Sequence, residues 1–145
     1  MSGYVCVDAN VAAKWVIPED ETHLALSLYH KALRDEIAVV APPHLRIEVA
    51  STLRKKVFQG HDDHQSAVRR LIEFEILKVE YLEPPGLYRD ALAIADLYKR
   101  PTAYDAHYIA LAAYLDCEFW TANYRLINAL EGRLRYVRPL HEFKP

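Results

Sequence analysis

A chain of 145 residues that is 52% hydrophobic and 26% charged can bury one sizeable core, and it is too short for two ordinary domains. That composition excludes a disordered chain, and no run approaches the ~18 uninterrupted apolar residues of a membrane span. A formal charge of -2 lacks the basic excess of most nucleic-acid binders, yet a nuclease that carries cations in an acidic cleft does not need one.

Tyr4 to Val7 reads as a short strand ended by Asp8, and Val11 to Ile17 as a helix that follows at once. Glu19 to Arg34 carries Leu24, Leu28 and Ala32 at helical spacing, with Leu26 and Leu33 widening the stripe. Ile37 to Ala41 is a second strand, closed by Pro42-Pro43. From His44 to Phe58 the apolar positions Leu45, Val49 and Leu53 predict a third helix, stopped by Gly60. Asp62 to Leu77 predicts a fourth helix, Leu77 to Leu82 a short strand, and Leu87 to Tyr98 a fifth helix. Tyr104 to Leu115 is a helix whose Ile109, Ala110, Ala112 and Ala113 suit close packing. Glu118 to Thr121 is an aromatic strand, Asn123 to Leu130 the last helix and Leu134 to Val137 the last strand.

Parallel neighbours need crossover connections, so short apolar strands alternating with helices give an α/β expectation. The fold class is a three-layer α/β/α arrangement with a short, mainly parallel central sheet. No repeat or linker interrupts it, and 1–145 reads as one domain. The N-terminus lacks the basic start and long apolar stretch of a secretory signal, which sets a cytoplasmic expectation. Cys6 and Cys117 have no Cys-x-x-Cys spacing and are expected as buried free thiols.

Three acids stand at informative places. Asp8 ends the first strand, where open α/β sheets bind ligands, though an N-cap for the next helix is the plainer role. Glu48 lies one turn from Leu45 and Thr52, at the edge of a buried stripe, where it either faces a cleft or is simply solvated. Asp105 opens a helix whose dipole favours its charge, and Thr102 three residues earlier has capping-box spacing. If they converge above one sheet edge, they offer the oxygen ligands that Mg²⁺ takes, and such a cation polarises a phosphate and acidifies water.

The strings Val7-Asp8-Ala-Asn-Val-Ala-Ala-Lys-Trp15, Pro43-His-Leu-Arg-Ile-Glu48-Val-Ala-Ser-Thr-Leu53, Tyr104-Asp105-Ala-His-Tyr-Ile-Ala-Leu-Ala112 and Phe119-Trp-Thr-Ala-Asn123-Tyr-Arg-Leu126 resemble PIN domains, particularly VapC-like toxins. The resemblance covers nearly the whole chain. It implies a Mg²⁺ site, with Mn²⁺ as substitute, endonucleolytic cleavage of RNA, inhibition by a small cognate antitoxin, and a homodimer. Asp8, Glu48 and Asp105 correspond to three acidic positions of that family's site. The fourth departs, because the usual Thr-Ala-Asp is Thr121-Ala122-Asn123 here. Asn123 keeps an oxygen able to ligate directly or through water, or it caps the last helix. The departure also motivates a second expectation, a weakened or inactive module that binds RNA or protein.

Thr121 and Asn10 are candidates for supporting the site, or are local turn and cap residues. Lys14, Arg46 and Arg125 flank the motifs and are candidate RNA phosphate contacts. Asp116 is expected at the opposite sheet edge, and His61-Asp62-Asp63-His64 as a polar helix start rather than a metal cluster. Tyr98, Tyr104, Tyr108 and Tyr114 are expected as packing residues with polar tips.

Overall fold

The computed structural model describes residues 3–145. Cys6 and Val7 of β1 (Tyr4–Val7), Val39 and Val40 of β2 (Ala38–Ala41), and Phe119 and Trp120 of β4 (Glu118–Thr121) are all buried. Successive residues of a strand point to opposite faces, so burial of neighbours means that both faces are covered, as in parallel sheets. With β3 (Glu80–Tyr81) and β5 (Val137–Pro139) these strands form one fully parallel sheet in the order β3-β2-β1-β4-β5.

β1 is therefore central, and its chain neighbours leave it in opposite directions. The crevice between β1 and β4, beyond their carboxyl ends, is a topological switch point, the place where such sheets bind ligands. The helices that cover the sheet are α1 (Ala9–Ala13), α2 (Thr22–Arg34), α3 (Leu45–Phe58), α4 (His64–Ile76), α5 (Leu87–Leu97), α6 (Tyr104–Leu115) and α7 (Tyr124–Leu130). α3 packs on α1 and α4, and α5 packs on α6. None of the described helices is long and apolar enough to cross a membrane.

Where elements differ from expectation, the cause is local. The helix expected over Val11 to Ile17 is the five residues Ala9–Ala13, after which three-residue turns carry the chain to Pro18. α2 begins at Thr22 rather than Glu19, because Thr22 Oγ1 accepts the Glu19 N–H and donates to the Ile17 carbonyl. The last strand is Val137–Pro139 rather than Leu134 to Val137: the Val137 N–H closes a turn on Leu134, and pairing with β4 begins at Val137. β3 keeps two residues of the six expected, because only Glu80 and Tyr81 are in ladder register with β2, beyond which the Leu82 N–H makes one last bond to the Ala41 carbonyl at 3.0 Å. Asp62 pairs with Arg70, and Asp63 caps α4 by accepting the Ser66 N–H. Tyr108 is fully buried as expected, whereas Tyr104 and Tyr114 are each 60% exposed.

One cluster fastens the turn after α1 to two helices. The Trp15 indole donates to the Ala25 carbonyl at 3.0 Å, and its ring lies 5.1 Å from Tyr29 and 6.5 Å from Phe74. Arg70 adds a 2.7 Å hydrogen bond to the Val16 carbonyl. Phe74 is 1% exposed in this cluster while Phe58, one helix away, is 81% exposed. Phe74→Ala is therefore expected to lower unfolding free energy by about 3–5 kcal/mol, and Phe58→Ala to stay within about 0.5 kcal/mol. Urea denaturation of the two variants beside the parent checks the contrast.

Candidate metal centre

Asp8 follows the last residue of β1 and is 2% exposed. Its Oδ1 accepts the Val11 N–H at 3.1 Å, which caps α1, and its Oδ2 accepts a short hydrogen bond from the Thr121 hydroxyl at the end of β4. The cap role and the cleft role are thus held by one side chain, because two oxygens serve two partners. Thr121 Oγ1 also accepts the Asn123 backbone N–H at 2.9 Å, which joins the end of β4 to the start of α7.

Glu48 stands in the first turn of α3 and Asp105 in the first turn of α6, where the helix N-terminus favours a carboxylate. Tyr108, one turn after Asp105, donates to Glu48 Oε1 at 2.6 Å. The Tyr108 ring stacks on Phe119 of β4, with centroids 5.6 Å apart, so its hydroxyl is aimed from a fixed base. His44 Nε2 lies 3.3 Å from the same Glu48 oxygen. Asp105 Oδ2 accepts from Asn123 Nδ2 at 3.2 Å and lies 3.5 Å from the Arg100 guanidinium.

Asp8, Glu48 and Asp105 line one cleft of about 180 Å³, together with Ala9, Asn10, Ser51, Thr52, Lys55 and Tyr108. A cavity of about 900 Å³ lies at the opposite strand ends, lined by Tyr4, Leu28, Trp120 and, as anticipated for that edge, Asp116. It is the larger space, but the convergent carboxylates are in the smaller one, and the chemistry follows the charge.

Burial pushes the Asp8 carboxyl up to about 7, against the opposing hydrogen bonds of Thr121 and Val11, and the charges of Asp105 and Glu48 push the same way. Burial also raises Glu48, partly offset by the Tyr108 hydroxyl, and lowers His44. A buried acid raised by desolvation and by like charges is stabilised in its ionised form by a cation. Among the described residues no three His, Cys, Asp or Glu side chains are gathered closely enough to hold one ion directly. The donor set nonetheless fits Mg²⁺ or Mn²⁺, since these hard cations take one or two carboxylates and fill their other positions with water and phosphate.

The remaining candidates are placed unevenly. Asn10 lines the cleft. Asn123 borders it through Asp105, while its Oδ1 accepts the Leu126 N–H at 3.2 Å as the cap of α7. Lys14 is turned to Glu19 at 3.4 Å and to the Asp20 carbonyl at 2.7 Å. Arg46 sits over the Tyr81 ring at 4.3 Å, towards β3, and Arg125 is exposed at the start of α7. Ser51, Lys55, His44 and Arg100 are not among the sequence candidates for the site, and Tyr108 is expected from sequence only to pack. Ser51 and Lys55 follow Glu48 by three and seven residues and Tyr108 follows Asp105 by three, a spacing that puts each on its acid's helical face. Nothing in the local sequence marks Arg100.

No curated protein matches this sequence. Among solved structures, the crystal structure of PAE2754 from Pyrobaculum aerophilum resembles it with a TM-score of 0.67 and 22% identity. The likeness covers 97% of this chain and 93% of the other, and it is a likeness of fold. The PIN domain family model matches residues 5–131, which run from β1 into the residue that ends α7 and include all three acids of the cleft. PIN domains are generally nucleases, and this chain, which matches their model over most of its length, belongs to the PIN domain family.

Proposed function

We propose that this chain is a divalent-metal-dependent endoribonuclease and the toxin of a toxin–antitoxin pair. The observation that carries the nuclease reading is the meeting of Asp8, Glu48 and Asp105, from three separate elements, in one cleft at the sheet's switch point. Asp8, Glu48 and Asp105 hold the cation or its waters, with Mg²⁺ as the resident ion and Mn²⁺ as substitute. When bound, the cation supplies Lewis-acid polarisation of the phosphodiester and makes hydroxide available near neutral pH.

The chain's own groups do the rest. Thr121 and the α1 N-terminus hold Asp8 at the end of β1, and Tyr108 holds Glu48 towards the cleft. Asn10 supports the site from the cleft wall, Lys55 is an exposed cation on the same cleft, and Lys14, Arg46 and Arg125 are the candidate RNA phosphate contacts beside it. A cytoplasmic setting, a small cognate antitoxin as partner and a homodimer belong to the same reading, which the VapC-like motifs support. One observation favours a second reading, a weakened PIN-like module that binds RNA or protein: the oxygen of Asn123 is spent on capping α7.

Asp8→Asn, Glu48→Gln and Asp105→Asn are each expected to cut Mn²⁺-dependent RNA cleavage about 100-fold or more, since a metal's contribution is several kcal/mol. Circular dichroism should stay parental. A folded Asp8→Asn protein with full activity would sink the mechanism, and a parent that binds RNA without cleaving it in Mn²⁺ or Mg²⁺ would favour the second reading.

The buried Asp8 also gives a pH dependence of defined sign. Its folded value of about 7 lies above the ordinary 3.8, so the folded state binds the extra proton and stability falls as pH rises through that window. From pH 5 to pH 8 the metal-free parent should lose roughly 2–3 kcal/mol relative to Asp8→Asn. Saturating Mn²⁺ should flatten the loss, because a ligand of the ionised form stabilises it by mass action. Urea denaturation of both proteins at the two pH values, with EDTA or with Mn²⁺, measures the difference; equal slopes in EDTA would refute it.

A further inference from the structure

Asn123 uses both ends of its amide. Its Oδ1 accepts the Leu126 backbone N–H, and its Nδ2 donates to Asp105 Oδ2. The cap decides which end is which, because a backbone N–H only donates and so requires the amide oxygen. Asn123 therefore presents N–H groups to the cleft side, and an N–H does not ligate a cation.

The same Asp105 oxygen lies 3.5 Å from Arg100 Nη2, on a side chain that is 17% exposed. Arg100 Nε is buried without a hydrogen-bond partner among the described residues. A guanidinium held out of water with one donor unpaired is costly, and its opposite charge at Asp105 is what offsets that cost. Both contacts fall on Oδ2. Among the described residues Oδ1 of Asp105 has no hydrogen-bond or ion-pair partner, and Asp105 lines the cleft.

We propose that Arg100 and Asn123 form a fixed positive clamp on Asp105 Oδ2, so that the centre takes one divalent cation and Asp105 meets it through Oδ1 alone. The proposal rests on the metal-dependent reading above. Ionised Asp8, Glu48 and Asp105 bring three negative charges and Arg100 one positive, a sum of -2 that one divalent cation neutralises. Lys55 is exposed at the rim, where water screens it. A second cation on the Asn123 side would face amide N–H groups and a guanidinium, with no oxygen of residue 123 to receive it. Arg100 and Asn123 are thus positioning residues that act through Asp105.

Calorimetric titration of the metal-free full chain with Mn²⁺ tests this, because a merely structural role would leave stoichiometry unmoved. The parent is expected to bind one Mn²⁺ per chain. Arg100→Gln should bind it roughly tenfold more tightly, as the nearby like charge is gone, while Arg100→Lys stays near the parent. Arg100→Gln combined with Asn123→Asp, which removes the clamp and adds a carboxylate, should bind two Mn²⁺ per chain. Two Mn²⁺ in the parent, or an Arg100→Gln affinity equal to or weaker than parental, overturns the clamp while leaving the metal centre intact. No Mn²⁺ binding by the folded parent overturns the metal centre and the clamp with it. If the double variant does not fold, the parent's stoichiometry and the Gln against Lys comparison decide the matter.

Discussion

The site is organised around a carboxyl group removed from water at the end of the central strand. Taking an acid out of water is costly unless donors replace the water it loses. Asp8 receives two, one from the backbone of α1 and one from the hydroxyl of Thr121. These bonds tie β1 to α1 and to β4 at the point where the sheet's connections diverge. They do not neutralise the group. A carboxyl so placed is costly to ionise unless a cation pairs with it, so the proposed metal centre would extend the fold's own electrostatics.

The other two acids reach the cleft by a different route. Glu48 and Asp105 are carried by helix N-termini on either side of it, and Tyr108 spans the gap from a ring stacked on Phe119. The core residue beneath β4 and the acid in α3 are therefore linked through one hydroxyl. This explains a Tyr at a position whose ring is otherwise entirely core: Phe would pack equally well but would leave Glu48 without that donor. The exposed Tyr104, one residue before Asp105, has no such task and turns outward.

The departure at residue 123 acquires a local explanation in this setting. An Asp there would stand against Asp105 across the distance now spanned by an amide N–H, and like charges that close repel. Asn keeps the helix cap, which needs only an oxygen, and converts the contact from repulsion to a hydrogen bond. Arg100 adds charge compensation from the loop before α6. Two changes of charge are thus concentrated on one carboxylate of three.

Much of this was legible in the sequence. Short continuous apolar runs ending at Asp8 and Thr121, as strands covered on both faces require, and longer apolar-rich spans opening near Glu48 and Asp105 give strand and helix identity. The α/β class and the places of the three acids followed from them. Element ends were less legible: the short α1, the late start of α2 and the shifted β5 depend on single side-chain bonds and on which residue finds a partner strand. The contacts that give the cleft its character were not legible at all. Tyr108 to Glu48 spans 60 positions and Thr121 to Asp8 spans 113. Periodicity places a side chain on a face of its own element, whereas the partner across a cleft, and the burial that shifts an acid's proton affinity, exist only once distant segments have packed.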